Sequence, residues 1–272
     1  MSRWEGKVAL ITGGSAGLGL VIASEFGRQG AIAVIAGRDS AKLKSAVNTL
    51  HDQGCLCDSI EADVTDSASV KSLIETLIER FGRLDVLVNN VGKSCRTSLE
   101  NVTVDDFRDY LETNFLSAVS CTQEALPWLK KADGHIVNIG SLAAKTAWPF
   151  MAPYSASKFA LASYTHQLRL EGPENVHYML VCPGPISRED SGQRYESESS
   201  NLPEQARLPG AGAKIKGIAP EVLAQRIVRG CEKRWREIIL PFKARILFTL
   251  LAYSPPIGDW LLRRAMREDS KK

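Results

Sequence analysis

Apolar positions along this chain follow two alternating rhythms. Short runs rich in Val, Ile and Ala end at glycine or a polar residue: Lys7 to Thr12 (KVALIT), Ala31 to Gly37 (AIAVIAG), residues 56 to 62, Leu84 to Asn89 (LDVLVN), His135 to Ser141, Val176 to Val181 and Glu237 to Leu240 (EIIL). Between them, apolar side chains recur every three or four residues: Gly17 to Gln29 through Leu18, Val21, Ile22, Ala23 and Phe26, then 40 to 53, 67 to 81 through Val70, Leu73, Ile74, Leu77 and Ile78, Val104 to Lys131, 155 to 171, and Ala219 to Cys231. The first rhythm predicts strands and the second helices. Strands alternating with helices in this way demand a parallel sheet.

Val104 to Lys131 reads as one long helix, with Phe107, Tyr110, Leu111, Phe115, Ala118, Val119 and Leu126 as its buried stripe. Asn114 falls inside that stripe. A buried asparagine is costly unless hydrogen-bonded, so it is either satisfied by backbone or retained for a task.

The chain has 272 residues, 44% hydrophobic and 24% charged. This is enough for one large α/β domain with a full core, expected over residues 1 to 240, followed by an apolar and basic extension from 241 to 272. Residues 187 to 216 are polar and without periodicity, and are expected to form a substrate loop. A net charge of +3 does not argue for nucleic acid, although Arg226 to Lys272 holds twelve Lys and Arg against five Asp and Glu. The six cysteines, at 55, 57, 95, 121, 182 and 231, lack metal or redox spacing and read as buried reduced thiols of a cytosolic protein. The four histidines show no ligand spacing, so no metal is expected. The N-terminus lacks the apolar core of a signal peptide, and no apolar run approaches the roughly 20 residues that span a bilayer.

Candidate chemistry lies where the runs end. Gly13, Gly17 and Gly19, between a strand and a helix, let the backbone turn tightly and approach a pyrophosphate at a helix N-terminus. The second strand ends at Gly37 and Arg38 rather than at an acid. A guanidinium can clamp a ribose 2′-phosphate, which favours NADP(H) over NAD(H). Asp39 could read a free hydroxyl but looks more like the N-cap of the next helix. Asp63 closes the third strand, either as a ligand contact or as a turn before the N-cap Asp66. Asn89, Asn90 and Gly92 close the fourth strand, and Ser141 the fifth, at the edge where open α/β sheets bind ligands. Tyr154 and Lys158 are i and i+4 on a helix, so a cation can sit near a phenol and favour its ionised form, as a general acid or base requires.

Thr12-Gly13-Gly14-Ser15-Ala16-Gly17-Leu18-Gly19, Asn89-Asn90-Val91-Gly92, Asn114, Ser141 and Tyr154-x-x-x-Lys158, in this order and at these separations, resemble the short-chain dehydrogenase/reductase family over roughly residues 5 to 186. The resemblance implies a Rossmann-type, doubly wound parallel sheet of about seven strands with helices on both faces. It implies hydride transfer between a nicotinamide, by Arg38 that of NADP(H), and a carbonyl or secondary alcohol. The catalytic residues would be Asn114, holding a water that relays protons to the lysine, with Ser141, Tyr154 and Lys158. Gly13, Ser15, Gly17, Leu18, Gly19, Arg38, Asp63, Asn90, Gly92, Tyr154, Lys158, Pro183, Gly184 and Ile186 would line the cofactor, Asp63 at the adenine, while Asn89 supports the sheet. The family commonly has a threonine just past the Pro-Gly segment; here Arg188 stands there, after Ser187, and that contact is not carried over. Other readings are a ketoacyl-thioester reductase and a non-catalytic nucleotide-sensing or scaffold protein, the latter disfavoured by the intact Asn, Ser, Tyr and Lys set. A homo-oligomer is expected.

The tail allows two readings. Ile246 to Tyr253 is almost wholly apolar, Pro255 and Pro256 break it, and Trp260 to Arg267 resumes with arginines. It could pack on its own domain or on a second copy, burying Phe248, Leu251 and Trp260 at an interface or over the cleft of a lipophilic substrate. Alternatively it could lie on a membrane, with Arg245, Arg263, Arg264 and Arg267 against anionic lipid.

Overall fold

The computed structural model describes residues 3–187, 202, 217–254 and 256–260. The seven apolar runs form the strands β1 (Val8–Thr12), β2 (Ile32–Gly37), β3 (Cys57–Glu61), β4 (Val86–Asn89), β5 (His135–Ile139), β6 (His177–Pro183) and β7 (Glu237–Leu240). They make one sheet in the order β3-β2-β1-β4-β5-β6-β7, parallel at every pairing. The helices are α1 (Gly17–Arg28), α2 (Ser40–Asp52), α3 (Ser67–Phe81), α4 (Val104–Leu111), α5 (Ser117–Lys131), α6 (Ala152–Glu171), α7 (Pro220–Glu232) and α8 (Lys243–Tyr253).

Helices cover both faces, which explains why the strands read as unbroken apolar runs. Along β1, Ala9 and Ile11 join Ile22 and Phe26 of α1, Leu50 of α2 and Ile227 of α7. Val8 and Leu10 point the other way, to Leu73 and Leu77 of α3 and Cys121 and Leu129 of α5. Fully burying each Val, Leu, Ile or Phe side chain among these contributes about 1.5–3 kcal/mol. The six cysteines are free thiols, five buried and Cys57 half-buried.

Three expectations are corrected. β3 starts at Cys57, with Leu56 left 65% exposed, and β5 stops at Ile139, so Ser141 stands past the strand. The long helix is interrupted by a π-helical turn, Glu112–Leu116, with Asn114 inside it. Its buried stripe runs through Tyr110, Asn114, Ser117, Ala118, Cys121, Thr122, Ala125 and Leu129, while Phe107, Leu111, Phe115, Val119 and Leu126 are only half-buried. Small side chains let α5 approach the sheet closely enough for Asn89 Nδ2 to reach Thr122 Oγ1 at 3.2 Å. Bulkier residues flank the contact, Phe115 meeting Tyr164 edge-on at 6.0 Å.

Beyond β7 the chain turns back onto the domain. Ala244 and Phe248 of α8 pack on Leu142, with Ile239 beside them. Phe248 therefore packs within its own domain, whereas Trp260 is 55% exposed on the single chain. The side chain of Leu251, residues 261–272 with Arg263, Arg264 and Arg267, and the expected substrate loop with Arg188 lie outside the described residues, apart from Ser187 and Leu202. An isolated parallel bridge, Ile186 to Ile218, brings the two ends of that loop together.

Candidate active site

The strand order reverses between β1 and β4, which sends their following helices to opposite faces and opens a crevice at the carboxyl edge. Thr12 and Asn90 clasp the two strand ends there. Thr12 Oγ1 donates to Val88 O at 3.3 Å and accepts from the backbone N–H of Asn90 at 3.0 Å. Asn90 Nδ2 donates to Thr12 O and Gly13 O at 3.0 and 3.2 Å. A Cβ on Gly19 would stand 2.3 Å from Gly13 O and 2.6 Å from Asn90 Nδ2, so only glycine lets α1 start this close. Gly14, which the sequence reading did not single out, is equally constrained, since its Cβ would stand 2.6 Å from Ile35 Cγ2.

The turn fits a dinucleotide pyrophosphate. Gly13 and Gly17 have φ of 63° and 53°, and nothing lies within 4 Å of where a Cβ on Gly17 would be. The N-cap of α1 is Ala16, with no side-chain cap and no acid in the first turn, so the first-turn N–H groups are left for a ligand. By contrast α2, α3 and α4 are capped by Asp39, Asp66 and Thr103. Leu18 is buried in the core and offers only backbone. Ser15 Oγ lies beside the end of β2, 3.6 Å from the Cβ position of Gly37.

At the far end of the crevice Arg38 is exposed, with Nη1 3.6 Å from Asp63 Oδ2. Asp63 Oδ1 accepts from the backbone N–H and hydroxyl of Thr65 at 3.0 and 2.7 Å. Partial burial works to raise its pKa, but the Thr65 bonds and Arg38 outweigh that and hold it below the usual carboxylate value. Asp63 is thus a turn-former that faces Arg38. Asp39 accepts from Lys42 N–H and caps α2, as the sequence suggested.

At the near end Asn114 and Lys158 meet over Gly92, where an added Cβ would be 3.1 Å from Asn114 Oδ1 and 3.3 Å from Lys158 Nζ. Both Asn114 Nδ2 hydrogens and one Oδ1 lone pair are used: Oδ1 accepts from Lys93 N–H at 2.8 Å, and Nδ2 donates to Lys93 O at 3.0 Å and Ser157 Oγ at 2.9 Å. The side chain that the resemblance assigns to the proton relay thus also pins the backbone after β4. Ser157, also not anticipated, passes the link on by donating to Tyr154 O at 2.7 Å.

Pro153 stands in the first turn of α6, where a missing N–H costs nothing, followed by half-buried Tyr154 and, one turn later, buried Lys158. Lys158 Nζ lies 5.9 Å from the Tyr154 ring centre and donates to Ile139 O at 2.8 Å. Burial pulls its pKa down to about 8. Ser141 caps a 3-10 turn (Leu142–Ala144) by accepting from Ala143 N–H at 3.1 Å. That contact uses a lone pair and leaves the hydroxyl proton to be donated. Pro183 ends β6, and Gly184 N–H donates to Leu240 O at 2.7 Å, with Ile186 two residues further on.

A second polar group is buried at the opposite edge of the sheet. The β5–β6 register sets His135 beside His177, their Nδ1 atoms 2.9 Å apart, with Cys231 close by. His177 Nε2 lies 2.8 Å from Trp235 O, which can only accept, so His177 Nδ1 is the acceptor and His135 Nδ1 the donor. Burial first, then nearby charge from Arg234, lowers the pKa values to about 3 for His135, where His177 adds to the effect, and about 4 for His177. Spacing along the chain gave no sign of this pair, and its hydrogen bonds account for it without a cation.

Residues 7–199 match the family model for short chain dehydrogenases. The chain is 30% identical over 258 residues to 11-beta-hydroxysteroid dehydrogenase 1A of Arabidopsis thaliana, covering 94% of this chain and 74% of that one. It is 30% identical over 243 residues to a ketoacyl reductase of Nostoc, covering 88% and 80%. Among solved structures, a variant of actinorhodin polyketide ketoreductase crystallised with NADPH superposes with a TM-score of 0.78 at 26% identity, over 88% of this chain and 97% of that one. The crevice at the strand-order reversal, the uncapped glycine turn and the side chains gathered around Gly92 thus share one origin: the chain belongs to the short chain dehydrogenase family, oxidoreductases that bind a nicotinamide cofactor.

Proposed function

We propose that the protein is an NADP(H)-dependent oxidoreductase acting on the carbonyl or secondary alcohol of a lipophilic substrate. The observation that carries this reading is the meeting of Asn114 and Lys158 over Gly92, with Tyr154 one turn before the lysine. When bound, the cofactor exchanges a hydride with the substrate carbon. The protein handles the proton. Ser141 donates its hydroxyl hydrogen to the substrate oxygen and holds it beside Tyr154. Tyr154 gives its proton to that oxygen as negative charge develops there, and takes it back in the reverse direction. The Lys158 cation favours the phenolate left behind and binds the nicotinamide ribose, while Asn114 fixes the backbone through which a proton relay reaches the lysine.

Arg38 supports NADP(H), because a guanidinium suits a 2′-phosphate and repels nothing there. The name of the Arabidopsis relative supports a free lipophilic carbonyl, and that of the Nostoc relative supports a ketoacyl thioester. The apolar segment after β7 favours the former. The reading places the enzyme in the cytoplasm as a homo-oligomer. The test is NADPH oxidation, followed at 340 nm, on a panel of ketones, steroids, retinoids and ketoacyl thioesters. Turnover of a lipophilic ketone that Tyr154→Phe abolishes supports the reading; cofactor binding without turnover on any member would point to a nucleotide sensor instead.

A further inference from the structure

The segment after β7 has two sides. On the inner one, Ala244 and Phe248, one helical turn apart, close over Leu142, the residue after Ser141. Leu240, just before the segment, accepts the N–H of Gly184. The segment is thereby anchored at the carboxyl edge of the sheet, beside the crevice. On the outer side Phe242, Tyr253, Ile257 and Trp260 are 67, 87, 56 and 55% exposed. Lys243 and Arg245 are exposed too, and among the described residues neither has an ion-pair partner. Over residues 241 to 272 the sequence carries seven Lys and Arg against three Asp and Glu.

We propose that this outer side docks on an anionic lipid surface and turns the mouth of the active site toward the bilayer. The inference deepens the functional reading and rests on it only for the purpose of docking, which is access to a carbonyl dissolved in lipid. Exposed tyrosine, tryptophan and phenylalanine beside the exposed cations Lys243 and Arg245 match the chemistry of the headgroup boundary, where rings enter the acyl edge and cations meet phosphate. A second copy packed through this same patch would bring cations against cations. No helix among the described residues is long and apolar enough to cross a membrane, so the contact is with the surface.

The test is co-sedimentation of the full chain, without cofactor or substrate, with phosphatidylcholine vesicles and with vesicles containing phosphatidylglycerol. Binding to the anionic vesicles should exceed that to neutral ones by about tenfold or more and weaken at high salt, since each cation near the surface contributes. The triple variant Phe242→Ser/Tyr253→Ser/Trp260→Ser should lose binding while retaining its rate on a water-soluble ketone. The charge variant Lys243→Glu/Arg245→Glu should weaken it without touching the apolar side chains. A full chain that stays in solution with anionic vesicles overturns the proposal, as does undiminished binding by both variants. So does a dimer that the triple variant splits and that no vesicle recruits. Because no turnover is measured in the binding arm, failure there leaves the catalytic reading to its own test.

Discussion

Lys158 extends from the second turn of α6 to the carbonyl oxygen of Ile139, 2.8 Å away at the end of β5. The strand that leads into Ser141 also holds the ammonium of the helix that presents Tyr154. This bond ties the helix to the sheet and fixes the cation beside Gly92 rather than on the phenol ring.

Such a lysine serves function at a cost to the free protein. Burial lowers its pKa from 10.5 to about 8. Below pH 8 the native and unfolded chains are both protonated, and the full cost of burying the charge is present. Between about 8 and 10.5 only the native chain sheds the proton, so the cost is relieved as pH rises. Lys158→Met should therefore be at least as stable as wild type at pH 7, by up to about 3 kcal/mol, with the gap closing by pH 10, while turnover and cofactor affinity are lost. Urea unfolding at the two pH values measures this; a variant several kcal/mol weaker at pH 7 would show that the Ile139 bond outweighs desolvation.

Tyr154→Phe removes the proton donor and leaves the ring in its first-turn position. The rate on any accepted ketone should fall by about 10³-fold or more, toward the upper end of what one general acid is worth, with the NADPH Kd within a few-fold of wild type. Cofactor fluorescence titration beside steady-state rates separates the two. Persisting activity would remove the phenol from the mechanism.

Arg38→Ala should weaken NADPH binding by roughly 1.5–3 kcal/mol, the worth of a charged hydrogen bond, and leave NADH almost unchanged. The guanidinium is exposed and only loosely paired with Asp63 at 3.6 Å, so little must be broken for it to turn to a phosphate. A wild type that uses NADH as well as NADPH would reduce Arg38 to a surface residue.

What was legible in the sequence was whatever a local pattern encodes. The bounds of α3 agree with the periodic stretch because Asp66 caps its start and Gly82, at φ 71°, stops it. The glycine turn and the Tyr154–Lys158 spacing are likewise local. The features that were not legible depend on which strand lies beside which. Thr12 meets Asn90 only because β1 pairs with β4, and the carbonyl that receives Lys158 belongs to another element. The π turn at Asn114 leaves no mark in residue type, and the close approach of α5 is encoded by Ser117, Cys121 and Thr122, which a search for bulky apolar residues passes over.

The same dependence on register creates the His135–His177 pair, and with it an acid sensitivity remote from the active site. Both folded pKa values lie below the ordinary 6.5, at about 3 and about 4. Above pH 6.5 both histidines are neutral in either state and the pair contributes its full stability. As pH falls from 6.5 toward 4 the unfolded chain takes up protons that the native chain refuses, so unfolding becomes easier by up to about 1.4 kcal/mol per pH unit for each histidine. Buried Asp85 also has a lowered pKa, because its bonds to Arg83, Val8 and Lys7 outweigh burial, but its stability is lost only below the ordinary carboxylate value of 3.8. The window from 6.5 to 4 therefore reports mainly on the histidines. Denaturant unfolding through that window should show a slope of one to two protons for wild type, much reduced in His135→Gln/His177→Gln. An equal slope in both proteins would place the titration on other groups, and a wild type with no slope would mean that the pair is protonated in the native fold.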